Sequence, residues 1–148
     1  MSLSDPPTAI AVIALLISAL SALYTRWSWK QAQRANLIAL HPHQKIIYDG
    51  FFDLKAHMTQ SGVNAKPEEV SKFYYLAITS NLYFDDDLSA LIKTYQKACS
   101  RVAELTLCKP LTEKEKVERD EKYDLVLSLT PTIQEQLDKT LSKSKKNG

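Results

Sequence analysis

The sequence predicts an all-α protein: a single N-terminal transmembrane helix continuing into an antiparallel cytoplasmic helical bundle. Three observations lead there. Residues Thr8 to Tyr24, TAIAVIALLISALSALY, carry no charge. Only three of the 148 residues are glycine, where the usual share of about 7% would give roughly ten, so the chain is poor in the residue that tight hairpins need. Elsewhere, apolar residues recur at alternating spacings of three and four, the period of a helix buried along one face.

The uncharged run comes first. Its seventeen residues make a helix of about 26 Å, slightly short of a hydrocarbon core of about 30 Å. The flank supplies the rest. Tyr24, Trp27 and Trp29 are amphipathic rings of the kind that settle among headgroups, and Arg26 and Lys30 have apolar stems that let their charges reach phosphates. These five residues form the expected membrane interface. Pro6 and Pro7 suit a helix start, where a missing N–H costs little. Before the run stands one acid, Asp5; after it come Arg26, Lys30, Arg34 and Lys45 with no acid until Asp49. Positive flanks stay cytoplasmic. The expected arrangement is therefore an external tail (1–7), a membrane helix (8–25), a juxtamembrane extension (26–41), a cytoplasmic bundle (42–141) and a disordered basic tail (142–148). The location is the plasma (inner) membrane, with the N-terminus outside. A cleaved signal peptide would call for a basic first segment, and Asp5 stands there instead. A helix buried in a soluble core is the other reading of such a short run. Ala14, Ser18 and Ala22 repeat every four residues, a small-residue row that allows two membrane helices to approach closely.

WSWKQAQRANLIAL contains neither Gly nor Pro, so the first helix should run to about Leu40. His41-Pro42-His43 should end it, because the residue before proline avoids the α region. A second helix, Pro42 to Ser61, carries the stripe Ile47, Phe51, Leu54 and Met58; Gly50 weakens it and Gly62 caps it. Pro67, Glu68 and Glu69 open a third helix with buried face Val70, Phe73, Tyr74, Ala77 and Ile78. Ser80 to Phe84 reads as a turn or extended link. The fourth helix has the clearest seam, Leu88, Ile92, Tyr95, Cys99 and Val102, and ends before Pro110. Thr112 and Glu115 make a capping box for the fifth. Its first turns are polar nearly all round, with Glu118 and Lys122 at a favourable spacing. Pro131 kinks or breaks it, and Ile133, Leu137 and Leu141 continue its stripe. Short connections make consecutive helices antiparallel neighbours.

Chemistry is harder to find. Asp85, Asp86 and Asp87 form the densest acid cluster, but successive residues point apart, and an N-cap with first-turn acids explains them. Asp53 and His57 are four apart on one helix face, the spacing of two metal ligands or of a base and its orienting acid; an exposed polar pair has the same spacing. Cys99 and Cys108, if on one helix, are separated by about 13 Å of rise, too far to bridge. No glycine-rich phosphate loop, Ser/His/Asp pattern or CxxC occurs, so no catalytic residue, metal ligand or cofactor is assigned. The net charge of +2 argues against a general nucleic-acid binder.

Two resemblances add expectations. Arg34 and His41, with six residues between them, resemble the Arg-x4–6-His signature of the helical, dimeric HEPN ribonucleases, which would imply RNA cleavage; Ala35 replaces the usual polar residue after the arginine. The stretches LYTRWSWKQAQRANLIAL, IYDGFFDLKAHM, EEVSKFYYLA and LYFDDDL resemble uncharacterised bacterial membrane proteins with one membrane helix and a helical cytoplasmic part, a group that implies no activity and no site residue. The function expected from all of this is a non-enzymatic module that binds a protein partner, or itself, at the cytoplasmic membrane face, with the lipid bilayer as its other partner. The alternatives are a membrane-tethered nuclease or metal-dependent hydrolase using Asp53/His57 or Arg34/His41, and a small membrane-acting effector or toxin.

Overall fold

The computed structural model describes residues 6–107 and 110–147, with side chains described for 10–33, 35, 39–107 and 110–142. The described chain is helical throughout: α1 (Pro6–Ser61), α2 (Pro67–Ser71), α3 (Tyr74–Thr79), α4 (Asp86–Leu107) and α5 (Glu113–Asn147), with short 3-10 turns at Gly62–Asn64 and Ser80–Leu82.

The first helix differs most from expectation. It is one element of 56 residues and passes through Pro42 without ending. Proline in a helix interior removes a hydrogen bond and costs about 3 kcal/mol. Against that, Gln44, Ile47, Phe51, Leu54 and Met58 are all buried beyond it, and a chain that stopped at His41 would have to nucleate a second helix at further cost. The first and second predicted helices are therefore a single rod. It ends at Ser61, where Gly62 takes φ +56°, the left-handed conformation of a glycine C-cap.

The chain returns through two short helices where one was predicted. A turn at Lys72–Phe73 separates α2 from α3 and shifts the helical phase. Val70, Phe73 and Ala77 are buried as expected, but Tyr74 and Ile78 face out. Asp85 then caps α4: its Oδ1 accepts the Leu88 N–H at 2.9 Å. Leu88, Ile92, Tyr95, Cys99 and Val102 are all buried, with Ala98, Ala103 and Leu105 beside them. This helix packs against α5, α2, α3 and both 3-10 turns, and its Tyr95 ring meets that of Phe51 on α1. In the capping box of α5, Thr112 N–H donates to Glu115 Oε2 at 2.8 Å and Glu115 N–H to Thr112 Oγ1 at 3.3 Å. Pro131 does not break α5, which reaches Asn147 instead of stopping at residue 141. The carbonyl of Leu127 loses its donor to Pro131, but Leu127 is exposed, so water can replace the lost bond.

Pairings fix the directions. Tyr48 Oη donates to Asp138, Lys55 Nζ to Gln134 and Tyr123 Oη to the Met58 carbonyl, so α5 runs antiparallel to α1. Gln44 Nε2 donates to the Tyr83 carbonyl and Thr106 Oγ1 to that of Val63, so α4 runs parallel to α1, with α2 and α3 ascending between them. The result is an up-down-up-down bundle whose second member is broken in two. Gly50 lets that member come close: a Cβ there would sit 2.5 Å from Leu76 Cδ1 and 3.1 Å from the buried Phe73 ring.

Candidate functional site

The N-terminal half of α1 has the most pronounced chemistry. Ile10–Gln33 is long and apolar enough to cross a membrane, and none of its most apolar window is buried. Ile13, Leu15, Leu16, Ile17, Leu20 and Leu23 all lie open, which removes the reading of a helix buried in a soluble core. Its hydroxyls are satisfied internally: Ser18 Oγ donates to the Ala14 carbonyl and Thr25 Oγ1 to that of Ser21, both at 2.8 Å. That is the condition for placing a polar side chain where water is absent. Ala14, Ser18 and Ala22 share one row of this helix and are exposed, and so are Tyr24, Arg26, Trp27, Trp29 and Lys30 one to two turns further on.

A groove of about 460 Å³ between α1 and the α2–α3 connection is lined by Gly50, Asp53, His57, Gln60, Glu69 and Lys72. It gathers the polar pair that the sequence suggested, but in a structural role. The Lys66 backbone N–H donates to His57 Nε2 at 3.0 Å, and Nδ1 lies 3.4 Å from Ser61 Oγ. A ring nitrogen that accepts an N–H carries no proton of its own, so His57 fastens the loop that leads to α2. Asp53 is exposed and shows no hydrogen bond to His57 among the described residues. Lys72 Nζ is 2.6 Å from Glu69 Oε2 and, by that bond, holds the Glu69 carboxyl below the usual carboxylate range. Asp85 stands at the other end of the bundle. Gln44 beside Tyr83 and His57 are thirteen residues apart on α1, about 20 Å of rise, so Asp53, His57 and Asp85 form no common site. No group of three or more His, Cys, Asp or Glu among the described residues is placed to hold a metal.

The remaining candidates are dispersed. Arg34 and His41 share α1, seven residues or about 10 Å of rise apart; the Arg34 side chain lies outside the described residues. His43 stacks on Tyr83 with ring centroids 4.9 Å apart. Cys99 is a buried free thiol, with its pKa pushed by that burial up to about 12, so it stays protonated and inert. Cys108 lies outside the described residues.

Sequence reasoning missed the polar residues that hold the broken return segment in place. Gln44 is one. Gln96 is another: its Nε2 donates to the Val70 carbonyl at 3.1 Å from a buried position. Neither breaks the apolar period, and their partners are backbone carbonyls far away in sequence, so no local pattern marks them. The exposed apolar face was also missed. Tyr74, Tyr75, Ile78 and Leu82 lie open on α3 and the turn that follows it, a consequence of the break at Lys72–Phe73.

Comparison of the chain with protein-family models, with curated proteins and with solved structures found no match.

Proposed function

We propose that this chain is a single-pass protein of the plasma membrane, anchored by residues 8–25 with the N-terminus outside, whose cytoplasmic bundle binds a protein partner or a second copy of itself. The observation that carries this reading is the division of labour along α1. One continuous helix has no part of its most apolar window within Ile10–Gln33 buried, and its C-terminal half is built into the bundle core. Such a rod couples the bundle to the anchor without a flexible linker. The charge asymmetry around the run supports the orientation, and Tyr24, Trp27 and Trp29 with Arg26 and Lys30 are the interface residues.

The face of Tyr74, Tyr75, Ile78 and Leu82 is the proposed docking surface, since aromatic residues are enriched where proteins bind one another. The Asp53/His57 groove favours no enzymatic reading, because His57 is committed to the Lys66 N–H. A photo-crosslinking residue at position 78, in the full chain in native membranes, should yield discrete higher-mass adducts. The same residue at the exposed polar position Glu121 should not. Equal adduct formation at both positions, or none at either, would remove partner binding from the reading and leave the anchor alone.

A further inference from the structure

The start of α2 is held from another helix. Its N-cap residue is Lys66, whose carbonyl accepts the N–H groups of Glu69 and Val70, both at 3.1 Å, and whose side chain makes no capping bond. In a capping box the N-cap N–H goes to the acid three residues on. That acid is present, but the Glu69 carboxylate is taken by Lys72 Nζ at 2.6 Å. The Lys66 N–H donates instead to His57 Nε2 of α1 at 3.0 Å. His57 thus does for α2 what Glu115 does for α5, where the Thr112 N–H reaches Glu115 Oε2 at 2.8 Å. The difference lies in the acceptor: a carboxylate in one case, an imidazole in the other.

That difference makes the bond sensitive to protons. With Nε2 accepting, the ring proton sits on Nδ1, which lies 3.4 Å from Ser61 Oγ. A protonated ring donates from both nitrogens, so N–H would face N–H and the bond to Lys66 would be lost. His57 is half-buried on the groove between α1 and the α2–α3 connection. The charged groups that face it there are Asp53 of α1, Glu69 of α2 and Lys72 of the turn before α3, with Lys66 at the bond itself. Two acids and two cations oppose each other around the ring. The other elements meet this loop through groups that donate elsewhere: Thr106 of α4 to the Val63 carbonyl and Tyr123 of α5 to the Met58 carbonyl.

We propose that His57 is a proton-operated latch on the segment that returns from α1: the neutral ring holds the N-cap of α2, and the protonated ring releases it. Because only the neutral ring makes the bond, proton uptake is linked to opening, and the segment loosens as pH falls through the imidazole range. The release is local. Ala65, Val70, Phe73 and Ala77 are buried by apolar contact, so one lost bond raises how often the start of α2 opens and leaves the bundle intact. The same segment carries the face of Tyr74, Tyr75, Ile78 and Leu82; the latch stands whether or not that face binds a partner.

The test is hydrogen exchange of the full chain in phosphatidylcholine nanodiscs, read by mass spectrometry at about pH 8 and about pH 5.5, either side of the ordinary imidazole value of about 6.5 and above the ordinary carboxylate range. With rates corrected for the intrinsic effect of pH, exchange in the peptide spanning residues 65–71 should rise about fivefold at the lower pH, the size of one net hydrogen bond. Peptides of α4 between Leu88 and Val102 should not change. His57→Leu, which has no acceptor, should show the higher rate at both pH values. His57→Gln, whose amide oxygen accepts without titrating, should keep the lower rate at both. Exchange over 65–71 that ignores pH in the parent, a pH response that survives in either variant, or an equal response in α4 would overturn the latch.

Discussion

Tyr95 sits at the centre of the bundle, fully buried, with its ring 5.2 Å from that of Phe51. Its hydroxyl is among the few buried polar side-chain atoms without a hydrogen-bond partner among the described residues. Burial, and the neighbouring Cys99, push the phenol well above its ordinary range. The ring contributes apolar area, while the hydroxyl contributes mostly a desolvation penalty. Tyr95→Phe should therefore leave the denaturation midpoint of the full chain in detergent unchanged or raise it, since removing an unsatisfied buried group relieves a cost. A loss above about 1.5 kcal/mol, the size of a net hydrogen bond, would mean that the hydroxyl is bonded to a neighbour such as Thr130.

Helix ends and helix pairs carry the next set of consequences. Asp85 caps α4 through the Leu88 N–H, so Asp85→Ala should cost about 0.5–2 kcal/mol while Asp85→Asn, whose carbonyl caps as well, should be nearly neutral. Melting curves should overlay with chelator and with added Mg²⁺ or Ca²⁺; a metal-dependent rise that vanishes in the asparagine variant would sink the capping account. The start of α5 is less solvated than its polar sequence suggests. Glu118 does not pair with Lys122 but receives Arg101 Nε at 2.7 Å and Nη2 at 3.1 Å, a two-pronged bond from α4. That guanidinium holds the Glu118 carboxyl below the usual carboxylate range. A carboxyl with a lowered folded pKa contributes stability above its unfolded value and loses it as pH falls through the folded one. The thermal midpoint should thus drop as pH falls through and below the usual carboxylate range, and Glu118→Gln should flatten part of that drop. Glu69, Glu115 and Glu135, also lowered, act in the same direction. An unchanged slope in the variant would remove this pair from the acid response.

At the scale of the whole molecule, α1 joins a half long and apolar enough to cross a membrane to a half built into the bundle, and under the proposed reading the direction of crossing decides which compartment holds the bundle. The proposed orientation places Ser2 outside and α5 inside. With Cys108→Ser as background, Ser2→Cys should react with an impermeant thiol reagent in intact cells. Glu113→Cys, on a highly exposed side chain, should react only after permeabilisation. The reverse pattern would invert the topology without altering the fold.

Periodicity and charge determined much of this molecule. The seams Ile47–Phe51–Leu54–Met58 and Leu88–Ile92–Tyr95–Cys99–Val102, the capping box at Thr112 and the uncovered run before Tyr24 are all legible in the sequence, because each rests on residues within a turn or two of one another. Tertiary structure decided what local rules misjudged. Pro42 read as a stop and Pro131 as a kink or break, yet both helices continue, since the buried residues on the far side of each proline outweigh one lost hydrogen bond. The third helix read as one element, yet it breaks at Lys72–Phe73, where Phe73 packs into the close approach over Gly50 and Gln96 holds the Val70 carbonyl. The Asp53/His57 pair read as possible chemistry, and only the position of the Lys66 backbone, nine residues on, shows its ring nitrogen to be occupied. In each case the deciding partner lies outside the local window or on another element, and the energy of that contact exceeds the local preference it overrides.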